Sequence, residues 1–272
     1  MLFRAGRRQD GLRELYRKAI RGQKGVEETW ITVDEFYKEM DELLFTVCTD
    51  LFLPCGGRPE TIDANNWHRL LDSGGNPTLR VITEGANSFI TPAARSEIQK
   101  KGVIVLRDAS ANKCGVISSS YEIIANLLMT AKEFLAHKEA YVQDVLAILE
   151  KRAEEEANLI FRRYREADGK LFYTDISNAI SGEINDHYAK LFTYFQSRPD
   201  LCDLPLFAKV LLNHLPALIR ENATFKGRLK RIPQKIKHAI LSSEIATRIV
   251  YHGGWKMDFE GRLKEFVKEN FD

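Results

Sequence analysis

The sequence predicts an α/β fold: a partial, Rossmann-like, doubly wound parallel sheet over residues 1–130, followed by a helical C-terminal domain over residues 131–272. Three observations predict it. Two short β-branched runs, Leu79-Arg80-Val81-Ile82-Thr83 and Val103-Ile104-Val105-Leu106, each break into a loop of small and amide residues. The second loop opens into Ile123, Ile124, Leu127 and Leu128 at helical spacing, so the pattern reads strand, polar loop, helix. Beyond Ser120 the three- and four-residue apolar spacing continues through most of the chain. In parallel sheets ligands sit beyond the carboxyl ends of the strands, which is where Asn87 and Asn112 fall.

Taken in order, residues 1–45 are the least legible. Leu12, Leu15, Tyr16 and Ile20 recur at helical spacing, residues 29–33 read as a short strand, and Asp34 is a candidate cap for a helix carrying Phe36, Met40 and Leu43. Gly22-Gln23-Lys24-Gly25 lacks the preceding strand and the remaining glycines of a phosphate loop. Residues 45–53 predict a buried strand ending at Pro54, and Cys55-Gly56-Gly57 permits close backbone approach. Residues 61–71 predict a helix and 73–77 a turn. The Val81 strand follows, then a helix over 91–100 with Pro92 in its first turn and a stop at Gly102, then the Val103 strand. Ser118, Ser119 and Ser120 are candidate caps for the next helix.

A long amphipathic helix carries Val142, Leu146, Leu149, Ile160 and Tyr164 and ends near Asp168-Gly169. Asp175 and Ser177 offer caps for its successor. Residues 206–215 form a short buried helix, Pro233 opens a helix over 236–251, and Gly253-Gly254 ends it. A last helix carries Phe259, Leu263, Phe266 and Val267.

With 40 basic and 38 acidic side chains the chain has a net charge of +2, so no global field draws nucleic acid or a membrane. Cys48, Cys55, Cys114 and Cys202 show no zinc spacing and the histidines no HExxH pattern, so no metal is predicted and free thiols in a reducing compartment are expected. No apolar run reaches membrane-spanning length, and the expected location is the cytoplasm. The cluster Arg220, Lys226, Arg228, Lys230, Arg231, Lys235 and Lys237 supports a rival reading as a nucleic-acid-binding helical domain. Only Phe225 lies among those charges, which favours a solvated helix end or an intersubunit contact.

Thr83-Glu84-Gly85-Ala86-Asn87 with Thr91-Pro92-Ala93-Ala94-Arg95, the run from Asp108 to Ser120, and Leu51-Phe52-Leu53-Pro54-Cys55-Gly56-Gly57-Arg58-Pro59 together resemble the second half of the coenzyme domain of glutamate dehydrogenases. The likeness is to the large NAD-specific type. Residues 228–233 and 249–255 resemble its tail more loosely. The resemblance implies NAD as cofactor and glutamate and 2-oxoglutarate as substrates. It implies that Asn87 and Asn112 line the nicotinamide-ribose side, that Cys55 and Gly56 pack the cofactor, and that Ser119 binds the distal carboxylate of glutamate against a wall formed by Val116. Pattern alone leaves a plainer role open for each Asn, closing its own turn. Lys113 could add charge to that mouth, and Cys114 stands where the family has a glycine, so a positive φ there would be strained.

No Gly-rich phosphate turn is visible upstream of Asp50, and no catalytic lysine or other catalytic residue is assigned. The resemblance therefore implies a C-terminal portion of the enzyme, oligomeric and inactive without a substrate domain, which either a separate polypeptide or the rest of a longer natural chain would carry. The alternative is a non-catalytic binding or regulatory fragment.

Overall fold

The computed structural model describes residues 2–10, 13–22, 25–56, 58–252, 263, 267 and 269. Leu12, Gln23, Lys24, Gly57, Gly253, Gly254, Phe259 and Phe266, which carried expectations above, lie outside the described residues.

The chain opens with an antiparallel sheet in the order β1 (Leu2–Asp10), β2 (Arg13–Gly22), β3 (Gly25–Thr32). This corrects the helical reading of Leu15, Tyr16 and Ile20. A short apolar pattern does not settle the period, and here cross-strand pairing wins: Leu15 faces Thr32 and Arg17 faces Trp30. Gly25 turns the second hairpin at φ +128°, a conformation that glycine supplies without strain.

Helix α1 (Val33–Leu43) follows directly, capped by Thr32 rather than Asp34. Thr32 and Glu35 form a reciprocal capping box, in which the threonine hydroxyl accepts from the Glu35 amide and the glutamate accepts from the Thr32 amide.

The second sheet has the order β4 (Thr49–Phe52), β5 (Leu79–Thr83), β6 (Ile104–Leu106), with parallel strands. The α/β prediction therefore holds. The first of these strands is shorter than the 45–53 run, and it is not buried: Leu51 and Leu53 are about half exposed. Residues 61–71 hold only a 3₁₀ turn, Trp67–Leu70, because the Asp63 carboxylate and the Asn66 side chain bond nearby backbone groups and compete with a helical ladder.

Helix α2 (Pro92–Lys100) has the predicted first-turn proline, a Thr91 cap and a stop at Gly102, whose φ is +88°. Beyond β6 lie the single turn α3 (Asp108–Ala111) and then α4 (Lys113–Leu128), α5 (Ala131–Glu166), α6 (Tyr173–Ser197), α7 (Pro205–His214), α8 (Ala217–Glu221), α9 (Ala223–Lys226) and α10 (Gln234–His252). Asp168 and Gly169, both at positive φ, end α5 where predicted. Helix α6 begins at Tyr173 with no side-chain cap, so neither Asp175 nor Ser177 caps it.

By internal packing the residues fall into two units: Met1–Phe52 with Gly57–Val81 and Phe89–Val103, and Leu53–Gly56 with Ile82–Ser88 and Ile104–Asp272. In the first unit Phe52 meets Phe89 edge to face at 5.9 Å, and Ile62 bridges Ile90 in parallel.

The second unit has a continuous core that includes Tyr121, Leu191, Phe195, Phe207, Leu241 and Ile245, joined by Leu263 and Val267 of the expected last helix. A charged network is embedded in it. Arg152 and His214 both bond Glu244, the histidine Nδ1 at 2.7 Å, and the His214 ring stacks on Tyr121 at 5.2 Å. Burial pushes the Glu244 carboxyl up, but His214 and Arg152 outweigh it and hold it at about 2.

Candidate functional site

Every sequence-predicted site residue, Cys55, Gly56, Asn87, Asn112, Val116 and Ser119, belongs to the second unit. Their placement follows from three chain segments.

The first is the extension of β4 through Pro54, whose carbonyl accepts the Ala86 amide at 2.7 Å. Here Gly85 is the residue with the least room for a side chain. A Cβ on it would stand 3.1 Å from Cys55 Sγ and 3.2 Å from the Pro54 carbonyl oxygen, whereas a Cβ on Gly56 would meet nothing within 4 Å. The close approach that the sequence suggested around Gly56 is therefore made at Gly85, with Cys55 as its neighbour. Cys55 and Gly56 are both exposed.

The second segment is the loop after β5. Asn87 is exposed, and the next residue, Ser88, sits at φ +52°, a left-handed conformation that costs a non-glycine residue roughly 1 kcal/mol. The Ser88 amide donates to Asp108 Oδ2 at 2.9 Å. Asp108 Oδ1 accepts the Ala109 amide at 2.8 Å and Arg107 Nε at 3.2 Å. Burial pushes the Asp108 carboxyl up, yet the Ser88 and Ala109 amides and the Arg107 guanidinium together hold it below its ordinary value.

The third segment is the junction of α3 and α4, which Asn112 occupies. Its side-chain amide donates to the Asn87 side-chain carbonyl and, at 3.3 Å, to the Gly85 carbonyl. The structure thus unites two residues that are 25 positions apart. Neither Asn serves as a side-chain helix cap, and α4 starts without one. What remains of the pair, the Asn87 amide and the Asn112 carbonyl, is one donor beside one acceptor without a partner among the described residues. One donor and one acceptor together can bond a hydroxyl or a carboxamide.

Helix α4 begins earlier than the three serines suggested, so Ser118, Ser119 and Ser120 lie within it and cap nothing. Their hydroxyls turn back onto the helix: Ser118 and Ser119 donate to the Gly115 carbonyl and Ser120 to that of Ile117. At i, i+4 and i+7, Asn112, Val116 and Ser119 share one helical face. Val116 is 78% exposed and Ser119 is exposed, so that face is open along about 10 Å of helix.

Lys113 and Cys114 take the opposite side. Lys113 Nζ bonds Glu156 Oε2 at 2.5 Å, and the Tyr251 hydroxyl donates to the same oxygen at 2.9 Å. The lysine charge is thereby spent on α5 rather than on the Asn face. Cys114 is an ordinary helical residue without positive φ, donating weakly to the Leu149 carbonyl at 3.6 Å, so it brings no backbone strain. Burial, with Glu156 beside it, raises its thiol.

These two residues, with Arg152, Glu156 and Tyr251, line a cavity of about 320 Å³. An apolar groove of about 600 Å³ runs between α4 and α5, past Tyr121, Ala125, Phe134 and Leu146.

Sequence reasoning missed Ser88, Asp108 and Gly85 as the residues that shape the loops. The signal for Asp108 was its place at the start of a helix, four residues before an Asn. In the basic cluster, Arg228 is engaged by Glu133 at 2.7 and 2.8 Å and by the Leu128 carbonyl, which removes one charge from any continuous patch. Among the described residues no group of His, Cys, Asp and Glu could hold a metal ion, and no helix is long and apolar enough to cross a membrane.

Residues 8–170 match the family model described as Glutamate/Leucine/Phenylalanine/Valine dehydrogenase. The chain is 37% identical over 219 residues to the probable NAD-specific glutamate dehydrogenase of Schizosaccharomyces pombe, covering 74% of this chain and 19% of that protein. It is 34% identical over 219 residues to the NAD-specific glutamate dehydrogenase of Neurospora crassa (76% and 20%), and 32% identical over 216 residues to glutamate dehydrogenase 2 of Dictyostelium discoideum (75% and 20%). The chain spans about a fifth of the length of these relatives. Since the family match takes in β4 to β6, the Asn87–Asn112 pair and the exposed face of α4, the chain belongs to the Glutamate/Leucine/Phenylalanine/Valine dehydrogenase family.

Proposed function

We propose that this chain supplies the nicotinamide-ribose side and the distal-carboxylate side of an NAD-dependent glutamate dehydrogenase site, on a Rossmann-like sheet. The complete reaction is oxidative deamination of glutamate to 2-oxoglutarate and ammonium, and bound NAD supplies the hydride acceptor. The observation that carries this reading is the hydrogen-bonded Asn87–Asn112 pair at the head of the helical face that bears the exposed Val116 and Ser119. In it, Asn87 and Asn112 hold the ribose hydroxyls, Cys55 and Gly56 border the cofactor, Val116 walls the substrate, and the Ser119 hydroxyl gives up its long 3.5 Å bond to the Gly115 carbonyl to donate to the far carboxylate. These are binding and orienting roles.

Proton transfer needs a further group. Lys113, the lysine next to the pair, is held by Glu156, so the chain by itself is expected to bind and not to turn over, and a substrate domain on another polypeptide would complete the site. The test is a titration of the purified chain with NADH, with and without 2-oxoglutarate, beside an assay for glutamate-dependent NADH formation. Saturable NADH binding without turnover is the expected result. Absence of NADH binding overturns the cofactor assignment, and turnover by the chain alone overturns the division of labour.

A further inference from the structure

Asn87 projects from a loop whose next residue is in an unfavourable backbone conformation, and Asn112 sits at a junction between two helices that no side chain caps. The Asn112 backbone is held in its own turn, its amide donating to the Asp108 carbonyl at 2.9 Å. One carboxylate touches both segments. Asp108 begins α3, the turn that leads into Asn112, and reaches across twenty residues to take the Ser88 amide. Its other oxygen takes the Ala109 amide and Arg107 Nε, while Arg107 also donates to Asn178 of α6. The carboxylate is 14% exposed, so water competes weakly for these bonds.

We propose that Asp108 is a positioning residue for the ribose-binding pair: by holding Ser88 in its left-handed conformation and anchoring the start of α3, it sets Asn87 and Asn112 at bonding distance before any ligand arrives. The proposal rests on the cofactor reading for its consequence in binding, but not for its geometry. Without the carboxylate, Ser88 relaxes towards negative φ, Asn87 swings from Asn112, and only a fraction of molecules carries the paired arrangement. Apparent affinity falls by that fraction.

The experiment uses the full chain and the variants Asp108→Ala, Asp108→Asn, Ser88→Gly and the double variant Asp108→Ala/Ser88→Gly. Glycine adopts positive φ without strain, so it removes the need for the carboxylate at that position. In the NADH titration, Asp108→Ala is expected to weaken binding about tenfold, a competent fraction of about one in ten. Asp108→Asn, which keeps one acceptor, is expected to weaken it less. Ser88→Gly alone is expected to bind as the parent does, and the double variant to recover the part of the loss that comes from Ser88, binding measurably tighter than Asp108→Ala. Asp108→Ala with parental affinity, or a double variant as weak as Asp108→Ala, overturns the proposal, since a merely structural carboxylate would not be rescued by a glycine twenty residues away.

If the parent chain binds no NADH, the cofactor reading fails and the positioning is read by NMR instead. The hydrogen-bonded Asn112 side-chain amide signal and the exchange protection of the Ser88 amide are expected in the parent and lost in Asp108→Ala. The Asn112 signal is expected to return in the double variant. Persistence of both signals in Asp108→Ala overturns the proposal independently of any ligand.

Discussion

The side-chain amide of Asn112 donates to the side-chain carbonyl of Asn87, joining the loop after β5 to the junction of α3 and α4. The bond uses the Asn112 amide and the Asn87 carbonyl, and among the described residues the Asn87 amide and the Asn112 carbonyl keep no such bond. The pair therefore behaves as one acceptor–donor unit rather than as two turn residues.

Replacing Asn112 with alanine removes the donor to both Asn87 and Gly85. About one lost hydrogen bond to the ligand, roughly 1.4 kcal/mol, corresponds to about tenfold weaker NADH binding. Asn87→Ala is expected to lose a similar factor, and the double variant less than the product, because the two act through a shared bond. Fluorescence titration of the four proteins checks this; unchanged affinity in both single variants would remove the pair from the site.

Gly85→Ala is expected to destabilise the protein by about 1–3 kcal/mol, because the Pro54 carbonyl that a new methyl would crowd is backbone and cannot swing aside. Gly56→Ala, where the added carbon meets open space, is expected to change stability by less than about 0.5 kcal/mol. Urea unfolding of the two variants decides it, and equal losses would show that the crowding at Gly85 is relieved by movement.

How much of this was legible in the sequence varied with the range of the force involved. Helices α2, α5 and α10 were readable because their caps, stops and apolar stripes are local signals, such as Thr91-Pro92 before α2 and Asp168-Gly169 after α5. Strand β2 was not, since Leu15, Tyr16 and Ile20 fit a helical period and only pairing with β1 and β3 selects the strand. Asn87 and Asn112 were singled out by resemblance as candidate ribose contacts, but their meeting was invisible: like the reach of Asp108 to Ser88, it is a contact between segments that no periodicity encodes. Ser118 to Ser120 misled because three serines before an apolar run look like a helix start, while the apolar face of α4 was already set by Tyr121 and Ile124 with the chain coiled from Lys113.

The network of Arg152, Glu244 and His214 predicts the acid behaviour of the helical core. Glu244 is held at about 2 in the folded protein, below its ordinary 4.5, so its contribution is fully present above about pH 4.5 and is lost as the pH falls through about 2. Glu244→Gln is expected to flatten the decline of stability across that window, measured by urea unfolding at several pH values. At neutral pH, Glu244→Ala is expected to cost about 3 kcal/mol, because Arg152 would keep a buried charge without its partner. A decline of the same slope in Glu244→Gln would assign the acid sensitivity elsewhere.

The four thiols should separate by rate. Cys48 and Cys55 are exposed, Cys114 is half-buried with its thiol raised by burial, and Cys202 is buried, its thiol pushed up to about 11. Because the thiolate is the reacting form, a disulfide reagent at pH 8 is expected to modify Cys48 and Cys55 quickly, Cys114 slowly and Cys202 only on unfolding. NADH is expected to slow Cys55 and leave Cys48 unchanged. Mass mapping of the labelled peptides gives the order, and early labelling of Cys202 would contradict the packing around α7.

Helix α5 is 36 residues long, and the Glu133 carboxylate that closes its first turn with Thr130 is the same group that Arg228 grips from 95 residues further along the chain. A start signal that is usually local is here shared with a segment synthesised much later. The first turn of α5 therefore reaches its final stability only once the chain around Arg228 has docked, and a nascent α5 frays at that end in the meantime. Hydrogen exchange at the amides of Glu133 and Phe134 becomes a clock for assembly of the C-terminal helices: their protection should appear together with that of α10, not with that of the middle of α5.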